Sequence, residues 1–252
     1  MEIKHLLQLA INASLKAGEE ILKVYDSDFT VERKEDKSPL TLADKNSHQI
    51  ISEYLMETNI PVLSEEGKEI PYAERKNWKQ FWMVDPLDGT KEFVKRNGEF
   101  TVNIAFIENG KPILGVIYAP VPKILYYGAK DAGSFRLQVT ELPAGEHFSS
   151  QTGFKLEEII SKSQKLPFKK KQKYTVVASR SHMSSETYAY MEELKKQHGE
   201  IEFISTGSSI KICLVADGSA DCYPRFGPTM EWDTASGQAI AEFAGKQFMD
   251  VL

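Results

Sequence analysis

The stretch Phe81-Trp82-Met83-Val84-Asp85-Pro86-Leu87-Asp88-Gly89-Thr90 constrains this chain more than any other. Phe81 to Val84 reads as a buried strand, and it delivers two carboxylates at i and i+3 where Pro86 and Gly89 force a turn. Pro86 fixes its own φ, so Asp85 and Asp88 can converge on one point and the Leu87 carbonyl between them can turn the same way. Such a cluster suits a hard cation. Residues 90–94 then read as a helix start, whose free backbone N–H groups favour a phosphate. An isolated Asp-Gly is most often an ordinary turn after a core strand. The second aspartate, the proline and the threonine favour the other reading, a cation facing a phosphate, which is phosphatase chemistry.

The chain has 252 residues, 41% hydrophobic and 27% charged, enough for one large domain or two intimately packed ones. Two cysteines, Cys213 and Cys222, do not make a disulfide framework or a zinc site, and both are expected as small buried residues in a reducing compartment. The opening residues lack a leader pattern and no run approaches a membrane span, which places the protein in the cytoplasm. A net charge of −5 argues against a nucleic-acid surface, so an anionic ligand must be met by individual cations or by metals.

Ile3, Leu7, Ala10, Ser14, Ala17, Ile21 and Val24 recur at spacings of four and three, which predicts an opening helix with that stripe in the core. Phe29-Thr30-Val31 is a short strand candidate before the charged, solvated run 32–37. A second helical pattern carries Ile50, Ile51, Tyr54 and Leu55, with Thr41 or Asp44 placed to cap it. Residues 60–63 form a strand ending in Glu65 and Glu66, so two strands could bring three carboxylates to one sheet edge. Residues 101–107 and 113–118 read as a hairpin with a slightly long Asn-Gly turn, and 124–127 and 135–137 continue the antiparallel theme. A soft boundary falls at 119–123, and residues 143–173, with Lys169-Lys170-Lys171, are expected to be least committed to a core. Beyond them, strands at 174–178, 201–204 and 220–224 alternate with helices at 187–196, 210–216 and from 231 onward.

Read together, Leu63-Ser64-Glu65-Glu66, Trp82 to Thr90 and Trp232-Asp233-Thr234-Ala235-Ser236-Gly237 resemble the inositol monophosphatase superfamily of lithium-sensitive, magnesium-dependent phosphatases. The three pieces stand in family order and span most of the chain. The resemblance implies a layered αβαβα sandwich, with an α+β half over 1–120 carrying most metal ligands and an α/β half over 121–252 carrying Asp233. It implies Glu65, Asp85, the Leu87 carbonyl, Asp88 and Asp233 as ligands of two or three Mg²⁺ ions, an all-oxygen set that suits this metal. Gly89 and Thr90 would hold the phosphate. Asp44, Thr90 and Glu65 form the implied catalytic set, in which Asp44 accepts the Thr90 hydroxyl and the pair orients and deprotonates a metal-activated water. Helix capping is the competing role for Asp44.

Closer resemblance is to the 3′(2′),5′-bisphosphate nucleotidase branch, carried by Asp85 to Phe93, Arg96 to Ala105, Ser179-Arg180-Ser181-His182, Ser205 to Lys211 and Tyr223 to Thr229. It implies conversion of adenosine 3′,5′-bisphosphate to AMP and phosphate within sulfur metabolism, with 3′-phosphoadenylyl sulfate as a companion substrate. It puts His182, Ser208, Lys211 and Arg225 on the nucleotide side. Each of three has a plainer alternative: a loop position for His182, an exposed helix face for Lys211, a structural pairing for Arg225. An inositol or sugar monophosphatase is the alternative from the same chemistry, and a non-catalytic anion-binding scaffold the alternative from another class. The expected partner is a small nucleotide bisphosphate and no nucleic-acid polymer. A monomer or a homodimer, and peripheral association with the inner face of the cell membrane, are left open.

Overall fold

The computed structural model describes residues 2–33, 39–142, 153–179 and 183–249. Helix α1 (Ile3–Tyr25) buries more than the expected stripe: Leu6, Leu9, Ile11, Ala13 and Leu15 join it in the core. The cause is a helix covered on two sides, by its neighbouring helix and by the main sheet. The Arg96 guanidinium donates to the carbonyls of Tyr25 and Ser27, satisfying the C-terminal end of α1. Strand β1 (Val31–Arg33) pairs antiparallel with β2 (Pro39–Thr41), two residues beyond the expected start. Thr41 then caps α2 (Leu42–Met56) in a reciprocal capping box with Asp44.

The main sheet begins with β3 (Val62–Ser64), and after the single turn α3 (Tyr72–Arg75) comes β4 (Gln80–Asp88), longer than the apolar run alone indicated. One turn of helix, α4 (Thr90–Val94), leads to β5 (Thr101–Glu108), β6 (Lys111–Ala119), β7 (Ile124–Ala129) and β8 (Gly133–Gln138). Helix α5 (Leu156–Lys162) and β9 (Gln164–Lys165) complete it, in the order β3-β4-β5-β6-β7-β8-β9. β3 and β4 are parallel and the other pairs antiparallel. The hairpin turn is tighter than expected: Glu108 pairs with Lys111, leaving Asn109 and Gly110 at φ 51° and 76°. Residues 153–165 are also more committed than expected, because Phe154, Leu156 and Ile159 are buried and the Asn12 amide bonds the Phe154 backbone at 3.0 and 3.2 Å. The rest of that segment's first part, 143–152, lies outside the described residues.

Both faces of the sheet are covered, which is why its strands read as nearly continuous apolar runs. Val84, Ile104, Val116 and Tyr127 face the α1 and α2 side, in one core with Ile11, Leu15, Ile21, Ile51 and Leu55. Met83 and Ala105 pack with Ala235, and Ile117 and Tyr126 pack with Ile212, Cys213 and Ile240, on the other face. Those last residues belong to α7 (Ile210–Ala216) and α8 (Glu231–Phe243). Before them, β10 (Thr175–Ser179) and β11 (Glu202–Thr206) form a parallel pair joined by the crossover helix α6 (Ser185–His198). The layers are therefore α1/α2, the seven-stranded sheet, α7/α8, the β10/β11 pair and α6, an αβαβα sandwich. The expected strand at 220–224 is reduced to one bridge, Val176 with Cys222, as Pro224 removes the next ladder donor. Cys213 is buried as expected, whereas Cys222 is only half-buried, and both thiols are free. Among the described residues no helix is long and apolar enough to cross a membrane.

Candidate active site

The end of β4 and the first turn of α8 make the acidic centre. The β4–β5 register shifts between Asp85 and Asp88, so the strand kinks where its carboxylates emerge. The Ser47 hydroxyl holds that kink by donating to the Pro86 carbonyl at 2.7 Å. α8 can reach the same edge because Gly115 has no side chain: a Cβ there would stand 2.1 Å from the Ser236 carbonyl oxygen. Asp85, Asp88 and Asp233 consequently offer carboxylate oxygens that all lie within 4.8 Å of one another. Glu65, half-buried just past β3, hydrogen-bonds Asp85.

Asp85 is 1% exposed, and burial, with Glu65, Asp88 and Asp233 nearby, pushes its pKa well above the ordinary carboxylate value. Burial also raises Asp233, followed by the charge of Asp88. The charged neighbours that act on Asp85, Glu65, Asp88 and Asp233, are all acidic, so the cluster is short of positive charge. A set made of carboxylate oxygens, with the buried Leu87 backbone beside it, fits a hard divalent cation. Its members are held by neutral donors. Leu87 N–H donates to Asp85 Oδ1 at 3.1 Å, and Thr229 Oγ1 and Met230 N–H donate to Asp233 Oδ2 at 2.9 and 3.2 Å. Asp88 Oδ2 receives the Ser209 N–H at 2.5 Å and the Ser209 hydroxyl at 2.6 Å.

Thr90 stands next to this cluster. Its hydroxyl lies 3.3 Å from Asp44 Oδ1 and 3.4 Å from the Leu87 carbonyl. Asp44 is 1% exposed, and its Oδ2 accepts the Thr41 N–H and hydroxyl, each at 2.7 Å. Gly89 precedes α4 at φ 95°, a conformation that side chains resist, and it brings Thr90 to the rim.

Gly89, Thr90, Asp88 and Asp233 share a cavity of about 200 Å³ with Ser208, Lys211 and Arg225. Lys211 is 3% exposed, which removes the exposed-face alternative. Its ammonium donates to the Ser208 carbonyl at 2.5 Å and lies 5.5 Å from the Tyr223 ring centre, and burial lowers its pKa. Arg225 does have structural partners, the Tyr223 hydroxyl at 3.3 Å and the Pro228 carbonyl at 2.7 Å, yet its buried Nε has none among the described residues. Ser208 holds φ 48° on the cavity wall. His182 lies outside the described residues. Sequence reading missed Ser209, Asn103 and Glu99. A serine ahead of a helix reads as a cap, and a strand asparagine as a packing residue, whereas Asn103 donates to Ser209 Oγ at 2.8 Å and Glu99 accepts the Gly207 N–H at 2.8 Å.

Comparison with known proteins agrees with this geometry. The inositol monophosphatase family pattern matches residues 2–251. The chain is 45% identical to the 3′(2′),5′-bisphosphate nucleotidase CysQ of Salmonella typhimurium, over 98% of this chain and 90% of that protein. The crystal structure of CysQ from Bacteroides thetaiotaomicron is 50% identical, with a TM-score of 0.84 over 96% of this chain and 88% of that one. At 22% identity, the extragenic suppressor protein suhB of Bartonella henselae shares the fold, with a TM-score of 0.70 over 96% of this chain and 85% of that one.

Proposed function

The chain belongs to the inositol monophosphatase family, and on that premise we propose that it hydrolyses adenosine 3′,5′-bisphosphate to AMP and phosphate, with 3′-phosphoadenylyl sulfate as a second substrate. The observation that carries this reading is one cavity lined by both acidic and basic side chains. Asp88, Thr90 and Asp233 line it together with two cations, the buried Lys211 and the half-buried Arg225. A nucleotide bisphosphate has two anionic ends, and a monoester of a small polyol has one.

Glu65, Asp85, the Leu87 carbonyl, Asp88 and Asp233 are the residues that would hold two or three Mg²⁺ ions. Bound there, the ions supply Lewis-acid charge to the phosphoryl oxygens and lower the pKa of the attacking water. Backbone N–H groups of Gly89 and Thr90 bind the phosphoryl oxygens and orient the ester in line. Thr90 Oγ takes a proton from the water as its own proton passes to Asp44 Oδ1, so the charge that leaves the water appears as a neutralised Asp44 carboxyl. Lys211 and Arg225 hold the remote end of the nucleotide, with Ser208 on the same cavity and the Nε of Arg225, which has no partner among the described residues, a ready donor; His182 is assigned to the nucleotide side by the family resemblance alone. The same reading places the enzyme in the cytoplasm, where Cys213 and Cys222 stay reduced.

The test is product identity. Adenosine 3′,5′-bisphosphate incubated with the protein and Mg²⁺ should give AMP and phosphate in equal amounts by chromatography, a reaction stopped by chelator, restored by Mg²⁺ and inhibited by Li⁺. Release of adenosine 3′-phosphate, or turnover indifferent to chelator, contradicts the reading.

A further inference from the structure

Ser209 occupies the position before α7 where a serine ordinarily caps the helix, but its side chain makes no capping bond. Its hydroxyl lies 2.6 Å from Asp88 Oδ2 and 2.8 Å from the Asp233 carbonyl oxygen, and its N–H is 2.5 Å from the same Asp88 oxygen. The hydroxyl has one proton to share between two acceptors, and one of its two lone pairs accepts from Asn103 Nδ2 at 2.8 Å. Asn103 is itself oriented, because the Thr101 hydroxyl donates to its Oδ1 at 3.0 Å and so turns the amide N–H groups toward Ser209 and, at 3.5 Å, Asp88. Thr101, Asn103 and Ser209 are all buried.

Four segments meet at this hydroxyl: the end of β4, β5 through Asn103, the start of α7 and the first turn of α8. A carboxylate on a single methylene rotates freely unless donors fix its plane, and a cation site needs its oxygens fixed. A lysine could fix Asp88, but it would also neutralise the charge a cation must find. Neutral donors fix the group and leave the charge in place. We propose that Ser209 is a positioning residue, which orients the Asp88 carboxylate and ties it to α8 through Asp233, so that cation affinity depends on the Ser209 hydroxyl with Asn103 acting through it. This rests on the divalent-cation reading of the acidic centre given above.

Isothermal titration of the full chain with Mg²⁺, without substrate, tests it. Ser209→Ala should bind Mg²⁺ about tenfold more weakly than wild type. Asn103→Ala should shift the same way by less, and the double variant should bind no more weakly than Ser209→Ala alone. A merely structural role lowers the folded fraction by circular dichroism while leaving the dissociation constant of the folded remainder unchanged, and equal constants for wild type and Ser209→Ala overturn the proposal. If Ser209→Ala does not fold, Asn103→Ala decides by the same criterion. A wild type that binds no Mg²⁺ overturns the cation reading and this proposal together, which separates that failure from equal affinities.

Discussion

Asp44 divides its carboxylate between two threonines: Oδ2 accepts both donors of Thr41 at 2.7 Å, and Oδ1 faces the Thr90 hydroxyl at 3.3 Å. Capping and proton handling compete for this residue in the sequence, and the geometry lets one side chain do both. In Asp44→Asn the amide oxygen stays with Thr41, which offers two donors, and the NH₂ group turns to Thr90, where it cannot accept a proton. Stability should then fall by no more than about 1 kcal/mol, while kcat falls by roughly 10²- to 10⁴-fold. Thr90→Val should lower kcat similarly, with little change in KM. Steady-state kinetics with thermal melts checks both, and near-wild-type kcat in either variant removes the relay.

The acidic centre makes a prediction about pH. A carboxyl whose folded pKa is raised binds more protons folded than unfolded, so stability declines as pH rises from the ordinary value of 3.8 through the raised one. The metal-free protein carries the whole of that cost once the pH is above the raised values. Metal-free Asp85→Asn should therefore melt above metal-free wild type near neutral pH, with the difference closing toward about pH 4. Its Mg²⁺-dependent activity should be lost. A variant that melts lower at neutral pH and shows no convergence in acid would mean that Asp85 is not strained by its neighbours.

Gly89 offers a backbone test. At φ 95° an alanine Cβ would meet the Glu99 carbonyl oxygen at 3.0 Å and Ser208 Cβ at 3.3 Å. Gly89→Ala should cost about 1–3 kcal/mol and displace Thr90, lowering kcat as well. Urea unfolding and kinetics measured together check this, and an unchanged midpoint with unchanged turnover would show that the turn tolerates a side chain.

What could be read in advance was what local pattern encodes. The α1 stripe, the acidic end of β4 and the α2 cap all follow from spacing and residue type within a few positions. Burial of Lys211 could not be read, because a lysine on a short helix looks solvated until Tyr223 and Ser208 are known to cover it. Ser209 could not be read as part of the site for the same reason: its partner Asp88 is distant in sequence and carries no local signal. Commitment of 153–165 to the core depended on Asn12, at the opposite end of the chain.

Lys211 and Arg225 bear on substrate choice. Each removes a charge-assisted contact if it holds the remote end of a nucleotide, so Lys211→Ala and Arg225→Ala should lower kcat/KM for adenosine 3′,5′-bisphosphate by about ten- to a hundredfold. Inositol monophosphate, which does not extend to those side chains, should be turned over at a similar low rate by wild type and both variants. Equal losses on the two substrates would assign these residues to the fold or the acidic centre.

The most direct measurement is the ratio of kcat/KM for adenosine 3′,5′-bisphosphate to that for inositol monophosphate, with the wild-type chain at saturating Mg²⁺ and fixed ionic strength. Two cations lining the same cavity as the acidic centre predict a ratio well above one, on the order of ten- to a hundredfold for each charge-assisted contact engaged. A ratio at or below one would contradict the account, because Lys211 and Arg225 would then have no part in choosing the substrate.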